Sequence, residues 1–453
     1  MKPTLNIAIY AIGLISSKLV ALALQPFVTQ WLGPEQFGRL DVLITLGIFL
    51  SLFLALGLTD AIYRFAHENK HQQEIFSGAL WLIILFGGTL TLLAQIAAPT
   101  IQQYLPGKPP LIALRCLLLT LFINTLCTVP FAILRIRDQA RQFVIAQVLF
   151  ALIQGGAIVL LAPKYGISGI MIAGLVAQTL QLLILYKVFP TPKPRHQQLI
   201  LRYGMAITVS GVLGFITLGA ERWAIAHSLS LTELAPYAIA IQWAMAASLL
   251  LEPFALWWFP KRFSLTSTKE DRQKAANLSI VGCQISCLIT AGVITIGPRF
   301  LTVWLPQDFH ASADIIPFLG IMLMFKHAST LLNMGCYQQR NGQSVMLIGL
   351  ISCIISLIIL FFILPNLGLY ALLWSGIVLQ VLRVILFFFW SQRRLSLPYP
   401  LPRLGLSYAL IALLLLTHVR EMLIYELIIS LILTIQITWP WLGNKQVRKL
   451  IKV

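Results

Sequence analysis

Charge is what this sequence has least of. Asp, Glu, Lys and Arg make up 11% of its 453 residues, against 58% hydrophobic. An ordinary soluble domain carries about 25% charged residues. A water-facing shell cannot be built from so few, which excludes soluble folds of this length. Carboxylates are scarcer still, 15 against 33 Lys and Arg. The six cysteines (Cys116, Cys127, Cys283, Cys287, Cys336, Cys353) fall mostly in apolar stretches. Cys283 and Cys287 lie one helical turn apart without His or carboxylate at ligand spacing, so they read as a packing pair. Neither a disulfide framework nor a metal site is expected. The chain also lacks a Gly-x-x-x-x-Gly-Lys-Ser/Thr phosphate loop, a His-Glu-x-x-His metal motif and an Asp-x-Asp pair in its loops. No catalytic constellation and no cofactor follow from it.

What is there instead is a succession of apolar runs from Leu5 to Trp441. A membrane crossing needs about 20 mainly apolar residues. Fourteen are readable, numbered here as spans 1 to 14: 5–31, 40–63, 75–98, 111–134, 143–162, 167–189, 203–227, 235–258, 277–298, 313–337, 344–364, 367–390, 404–418 and 423–441. The fold class is therefore an all-α polytopic membrane protein of about fourteen transmembrane helices. The first run is too long for a signal-peptide core and has no small-residue cleavage pattern, so it is expected to stay as span 1.

The net charge of +18 invites a nucleic-acid reading, but no basic tract sits beside a soluble reader fold. Basic residues in membrane proteins gather in cytoplasmic loops. With the N-terminus inside, 23 of the 33 Lys and Arg fall in inner segments and five (Arg39, Lys108, Lys164, Arg299, Arg420) in outer ones. The other five, Lys18, Arg115, Arg222, Lys326 and Arg383, lie within spans. Such a split fits a multi-pass protein with both termini cytoplasmic, and a single missed span would invert it.

An internal repeat organises the spans. At an offset of 202 residues, Gly166 falls on Gly368, Gly174 on Gly376, Gln178 on Gln380 and Leu180 on Leu382. Parallel repeats of this kind are a transporter signature. The expected organisation is a six-helix lobe over 1–189, a Pro-rich cytoplasmic linker over 190–202 and a second six-helix lobe over 203–391. An appended helix pair and basic tail would occupy 392–453.

Ionisable groups in hydrocarbon cost about 2.5–3.5 kcal/mol each on insertion scales, so they normally face protein or water. On span 1, Asn6, Tyr10, Gly13, Ser17, Ala21 and Gln25 form a polar-to-small stripe, with Lys18 on its edge near mid-depth. Lys18 either snorkels to an interface or faces a lumen; its depth favours the lumen. Span 7 repeats the design with Ser210, Gly214, Thr217 and Glu221, and Arg222 beside them. Glu221 and Arg222 diverge by about 100° around a helix and need not pair with each other. They read equally as an interfacial structural pair or as substrate contacts. Span 10 carries Lys326, Thr330, Asn333 and Tyr337 on one face, with His327 alongside, and Glu252 precedes Pro253 in span 8. Asp60, Arg115 and Arg383 read as end charges. The cavity candidates are Lys18, Ser17, Gln25, Arg222, Glu221, Glu252, Lys326 and Asn333.

From Leu32-Gly33-Pro34-Glu35-Gln36-Phe37-Gly38 onward the chain resembles the Wzx-type polysaccharide flippases. The resemblance continues at Ile133-Leu134-Arg135, is most specific at Glu221-Arg222-Trp223-Ala224-Ile225, and runs through Glu233-Leu234-Ala235-Pro236-Tyr237 to Trp257-Trp258-Phe259-Pro260. Ala235-Pro236 departs from the Gly the family usually shows before Tyr. The resemblance implies two six-helix lobes around a V-shaped cavity, in the multidrug/oligosaccharidyl-lipid/polysaccharide exporter superfamily. It also implies movement of undecaprenyl-diphosphate-linked repeat units across the bacterial inner membrane for O-antigen or exopolysaccharide assembly. The implied partners are that lipid-linked glycan, the bilayer and the polysaccharide polymerase machinery, with no nucleic acid.

Physics fits the implied cargo. An isolated ionised group costs tens of kcal/mol to bury in the Born limit, so a lipid diphosphate needs a wet, cationic path. Moving an anion outward against an inside-negative potential is favourable by about 2.3 kcal/mol per charge per 100 mV. Voltage alone can bias export; ion coupling through Glu252 or Asp60 is the other route. Two rival readings stand. One is a multidrug cation antiporter of the same fold, which would usually need a carboxylate in span 1 where this chain has Lys18. The other is a membrane glycan polymerase or glycosyltransferase, which would need a larger outer loop than any found here.

Overall fold

Apolar sequence in lipid must satisfy its backbone internally, and a helix does so within each segment. The computed structural model describes residues 3–66, 72–262, 265, 268–337, 343–420 and 422–443, and every regular element among them is helical. Ten continuous helical stretches are long and apolar enough to cross a membrane. Three of them, Lys18–Ala66, Ala140–Val188 and Ser344–Arg394, run 49, 49 and 51 residues, more than twice what one crossing needs. Each is broken by a glycine in the left-handed region: Gly33 (φ 67°), Gly166 (φ 54°) and Gly368 (φ 77°). Such backbone is costly for any residue bearing a Cβ. Taking each as two crossings, and adding the shorter apolar helix Leu423–Thr438, gives the fourteen spans read from the sequence. Gly166 and Gly368, paired by the 202-residue offset, perform the same turn in both repeats.

The chain forms two compact units, Met1–Ala235 and Pro236–Val453. The repeat boundary at 190–202 therefore precedes the packing boundary by one span. The reason lies in the contacts of span 7, helix Gln197–Thr217, which packs on spans 2 and 3. A Cβ on Gly204 would run into the carbonyl oxygen of Leu56, so the two backbones meet where only glycine fits. The linker is held to the same unit, with the Lys193 N–H donating to Ser77 O at 3.3 Å and His196 Nε2 3.1 Å from Glu74 Oε2.

Lipid tails are as apolar as leucine, so close packing rather than water exclusion joins spans. In the first unit, Ile62, Ile75, Phe76, Ile133 and Ile200 pack with the small residues Ala61, Ala79 and Ala132. In the second unit, Trp258, Leu278, Leu331 and Leu404 share one core. The appended pair is integral to that unit. Helices Leu401–Val419 and Leu423–Gly443 pack on each other and on Lys269–Thr295. Near the turn between them the buried Glu426 carboxylate meets Arg299 at 2.9 Å and His418 at 3.1 Å. The side chains of Asn6, Tyr10 and Ser17, and residues Lys70, Arg340, Glu421 and 444–453, lie outside the described residues.

Candidate functional site

Polar groups inside spans define the candidate site, and each unit has its own set. In the first unit the segment Glu221–Ser228 follows the end of helix Gln197–Thr217 as a separate short helix. It lays three consecutive side chains on the protein interior. Arg222 Nη1 reaches Asp41 Oδ1 at 3.2 Å, with 8% and 0% of the two side chains exposed. Trp223 Nε1 donates to Val42 O at 3.2 Å, and its ring packs edge-on against Phe49 and Phe215 at 5.7 and 5.6 Å. Glu221 is buried as well. The Glu-Arg-Trp segment thus fastens span 7 to span 2. Asp41 Oδ2 and Thr45 Oγ1, one turn apart on the same helix, have no hydrogen-bond partner among the described residues.

Asp41 was absent from the sequence reading, which treated Arg222 as a cavity candidate without a carboxylate to face it. The signal was there, in an acid just inside the first turns of a span. Arg222 has its positive charge compensated by Asp41, so its direct neighbour is protein.

Lys18 has a different setting. Its side chain is exposed, and no ion pair reaches it among the described residues. Gln25, two turns along, is buried. The side chain of Ser17 lies outside the described residues.

The chain so described matches the family model for polysaccharide biosynthesis proteins over residues 27–296. This chain belongs to that family. The matched range spans the Leu-Gly-Pro turn, the buried Asp41–Arg222 pair and the paired tryptophans Trp257 and Trp258. No curated protein matches the chain. Among solved structures, the lipid II flippase MurJ in an inward closed conformation is similar at a TM-score of 0.70 and 14% identity, covering 96% of this chain and 99% of that one. A MOP superfamily transporter from Pyrococcus furiosus is similar at 0.62 and 18%, covering 86% and 94%. An outward-facing multidrug resistance MATE family transporter of the MOP superfamily is similar at 0.60 and 18%, over the same shares. At these identities the likeness establishes the fold, that of MOP superfamily transporters.

In the second unit of this polysaccharide biosynthesis protein, the span 10 residues divide. Lys326 is half-buried. Asn333 is buried and its Oδ1 accepts from Arg262 Nη1 at 3.2 Å, while the same nitrogen donates to Thr330 O at 3.1 Å. Arg262, one of the basic residues counted among the inner segments from sequence, is 8% exposed. The rings of Phe259 and Tyr337 lie 4.7 and 5.4 Å from its guanidinium carbon. Burial pushes the Arg262 guanidinium below its usual pKa, while the Tyr337 and Tyr399 hydroxyls act in the opposite direction. Asn333 therefore serves to hold Arg262. Glu252 is exposed and makes no ion pair among the described residues, as is also true of Asp60 in the first unit. Arg383 Nη1 donates to Gln380 Oε1 at 3.1 Å, one helical turn away. Within the units, Arg222 is brought to Asp41 and Asn333 to Arg262; Lys18 and Glu252 stand apart from both pairs.

Proposed function

We propose that this protein is a flippase. It carries undecaprenyl-diphosphate-linked oligosaccharide repeat units from the inner to the outer leaflet of the bacterial inner membrane, by alternating access, for O-antigen or exopolysaccharide assembly. Membership of the polysaccharide biosynthesis family, together with the MOP transporter fold, supports a polysaccharide-related cargo. The observation that carries the reading is the state of the intramembrane charges in the first unit. Its deeply buried carboxylate, Asp41, is met by Arg222, whereas Lys18 is exposed and has no carboxylate against it among the described residues. An exposed lysine in the middle of a span costs free energy unless water or an anion solvates it. A diphosphate supplies both the opposite charge and acceptor oxygens for the three ammonium N–H groups. In this reading Lys18 contacts the head group. Arg222, Glu221 and Asn333 position helices, and the polyprenyl tail stays in lipid.

A cation antiporter would present a carboxylate where Lys18 stands, and the family's polysaccharide association would be unexplained. Proteoliposomes loaded with fluorescent undecaprenyl-diphosphate glycan test the proposal. Protein-dependent arrival of the glycan in the opposite leaflet, scored by an impermeant lectin, is the expected result. Energy-dependent ethidium export without glycan movement would replace the reading with the antiporter. Glycan elongation by the purified protein would replace it with an enzyme.

A further inference from the structure

The first unit holds a cavity of about 230 Å³ that none of the residues discussed above lines except Arg135 and Gln178. Its walls come from spans 2, 4, 5 and 6, all within that unit. Four primary amides face it: Asn124 from span 4, Gln147 from span 5, and Gln178 and Gln181 from span 6. The last two are buried and form its floor, with Gln178 Nε2 donating to Gln181 Oε1 at 2.9 Å and Gln181 Nε2 donating to Ala146 O at 3.3 Å. Asn124 is exposed and Gln147 half-buried, so the amides run from the mouth to the floor. Phe131 and Phe150 supply apolar wall.

The chemistry of this lining is selective. No carboxylate, histidine or cysteine lines the cavity, which leaves a metal or organic cation without a counter-charge. Its one cation, Arg135, donates to the Tyr63 hydroxyl at 3.1 Å and lies 4.8 Å over the Phe143 ring. A phosphate would find a single guanidinium already engaged. An amide, by contrast, offers a carbonyl acceptor and an NH₂ donor side by side. That pairing matches a ligand whose groups both donate and accept, namely vicinal hydroxyls. The volume lies below the roughly 300 Å³ at which drug-sized pockets begin, which suits one sugar ring rather than a chain.

The repeat sharpens the contrast. Carried through the 202-residue offset, Asn124, Thr128 and Phe131 fall on Lys326, Thr330 and Asn333, and Gln178 and Gln181 fall on Gln380 and Arg383. Each unit keeps an amide bonded to the residue one turn on, Gln178 to Gln181 at 2.9 Å and Arg383 to Gln380 at 3.1 Å. The first unit is neutral where the second carries Lys326 and Arg383.

We propose that the amide-lined cavity of the first unit binds one neutral sugar ring of the cargo glycan. This rests on the flippase reading for its physiological role, while the binding itself does not. The test is saturation-transfer NMR on the full-length chain in detergent, with glucose, galactose, N-acetylglucosamine and rhamnose as probes. At least one should give ring-proton signals with the wild type, and Gln147→Leu and Asn124→Leu should remove them with unfolding temperature unchanged. Neither side chain is buried, so both variants are expected to fold. No signal from any sugar, or signals that survive both substitutions, would overturn the proposal. A parallel transport arm uses lipid-linked glycan extracted from a strain lacking the flippase. Tenfold or greater loss of flipping in both variants is expected, and wild-type rates in both would likewise overturn the proposal. If the wild type binds sugar but moves no lipid-linked glycan, the flippase reading falls and the sugar site stands.

Discussion

Asp41 lies two residues after Arg39, at the beginning of span 2. The structure gives each a separate partner, Arg39 with Glu35 and Asp41 with Arg222. Sequence periodicity exposes polar stripes along one helix. It cannot show which residue 181 positions away faces a given charge, and that is why Arg222 was legible and Asp41 was not. Removing one member of a buried ion pair leaves the other uncompensated, at a cost of about 3–5 kcal/mol, whereas replacing both with apolar groups is often neutral. Asp41→Ala should therefore destabilise the protein by about that amount, and Asp41→Leu combined with Arg222→Met should restore most of the loss. Unfolding in mixed micelles measures both. The same logic applies at Arg262, which a charge count over loops places among the inner segments and which is held by Asn333. A hydrogen bond to a charged group is worth about 1.5–3 kcal/mol. Asn333→Ala should lose about that much stability, and a cycle with Arg262→Met should show the two losses to be non-additive.

At the scale of elements, the spans were the most legible feature, because a run of about 20 apolar residues states its own length. All fourteen have a helical counterpart, and the positions of Gly33, Gly166 and Gly368 explain why three pairs of spans turn with almost no loop. The repeat offset was legible too, since it needs only identities such as Gly166 with Gly368. What it left out is that span 7 packs with spans 2 and 3 rather than with the helices that follow it. That association depends on a backbone-to-backbone approach at Gly204 and on the Glu221–Arg222–Trp223 latch, both set by tertiary neighbours. Gly204→Ala should cost about 1–3 kcal/mol, the usual range for overpacking, seen as a lowered unfolding temperature. Gly349→Ala, where a Cβ meets nothing within 4 Å, should be neutral or better in the same measurement. The final helix pair is fixed by Glu426, which meets His418 across the turn between the two helices and Arg299, 127 residues earlier, which no local pattern links to it.

For the whole molecule, scarcity of charge determines the class, and the few charges retained within spans determine the function proposed. Lys18 was legible from sequence because a lysine at mid-depth stands out against an apolar run, and the structure leaves it exposed with no carboxylate opposite among the described residues. The amide-lined cavity was not legible: its amides are spread over spans 4, 5 and 6, and an Asn or Gln in a span carries no charge to draw notice. Under the proposed flippase function the two features would serve different ends of the cargo, Lys18 the diphosphate and the amides a sugar.

The most direct measurement is flipping of fluorescent undecaprenyl-diphosphate glycan in proteoliposomes containing either the wild type or Lys18→Ala, at matched protein incorporation. The account predicts protein-dependent flipping by the wild type, a loss of tenfold or more in Lys18→Ala, and substantial recovery in Lys18→Arg. Wild-type vesicles that move no more glycan than empty ones, or a Lys18→Ala variant that flips at the wild-type rate, would contradict it.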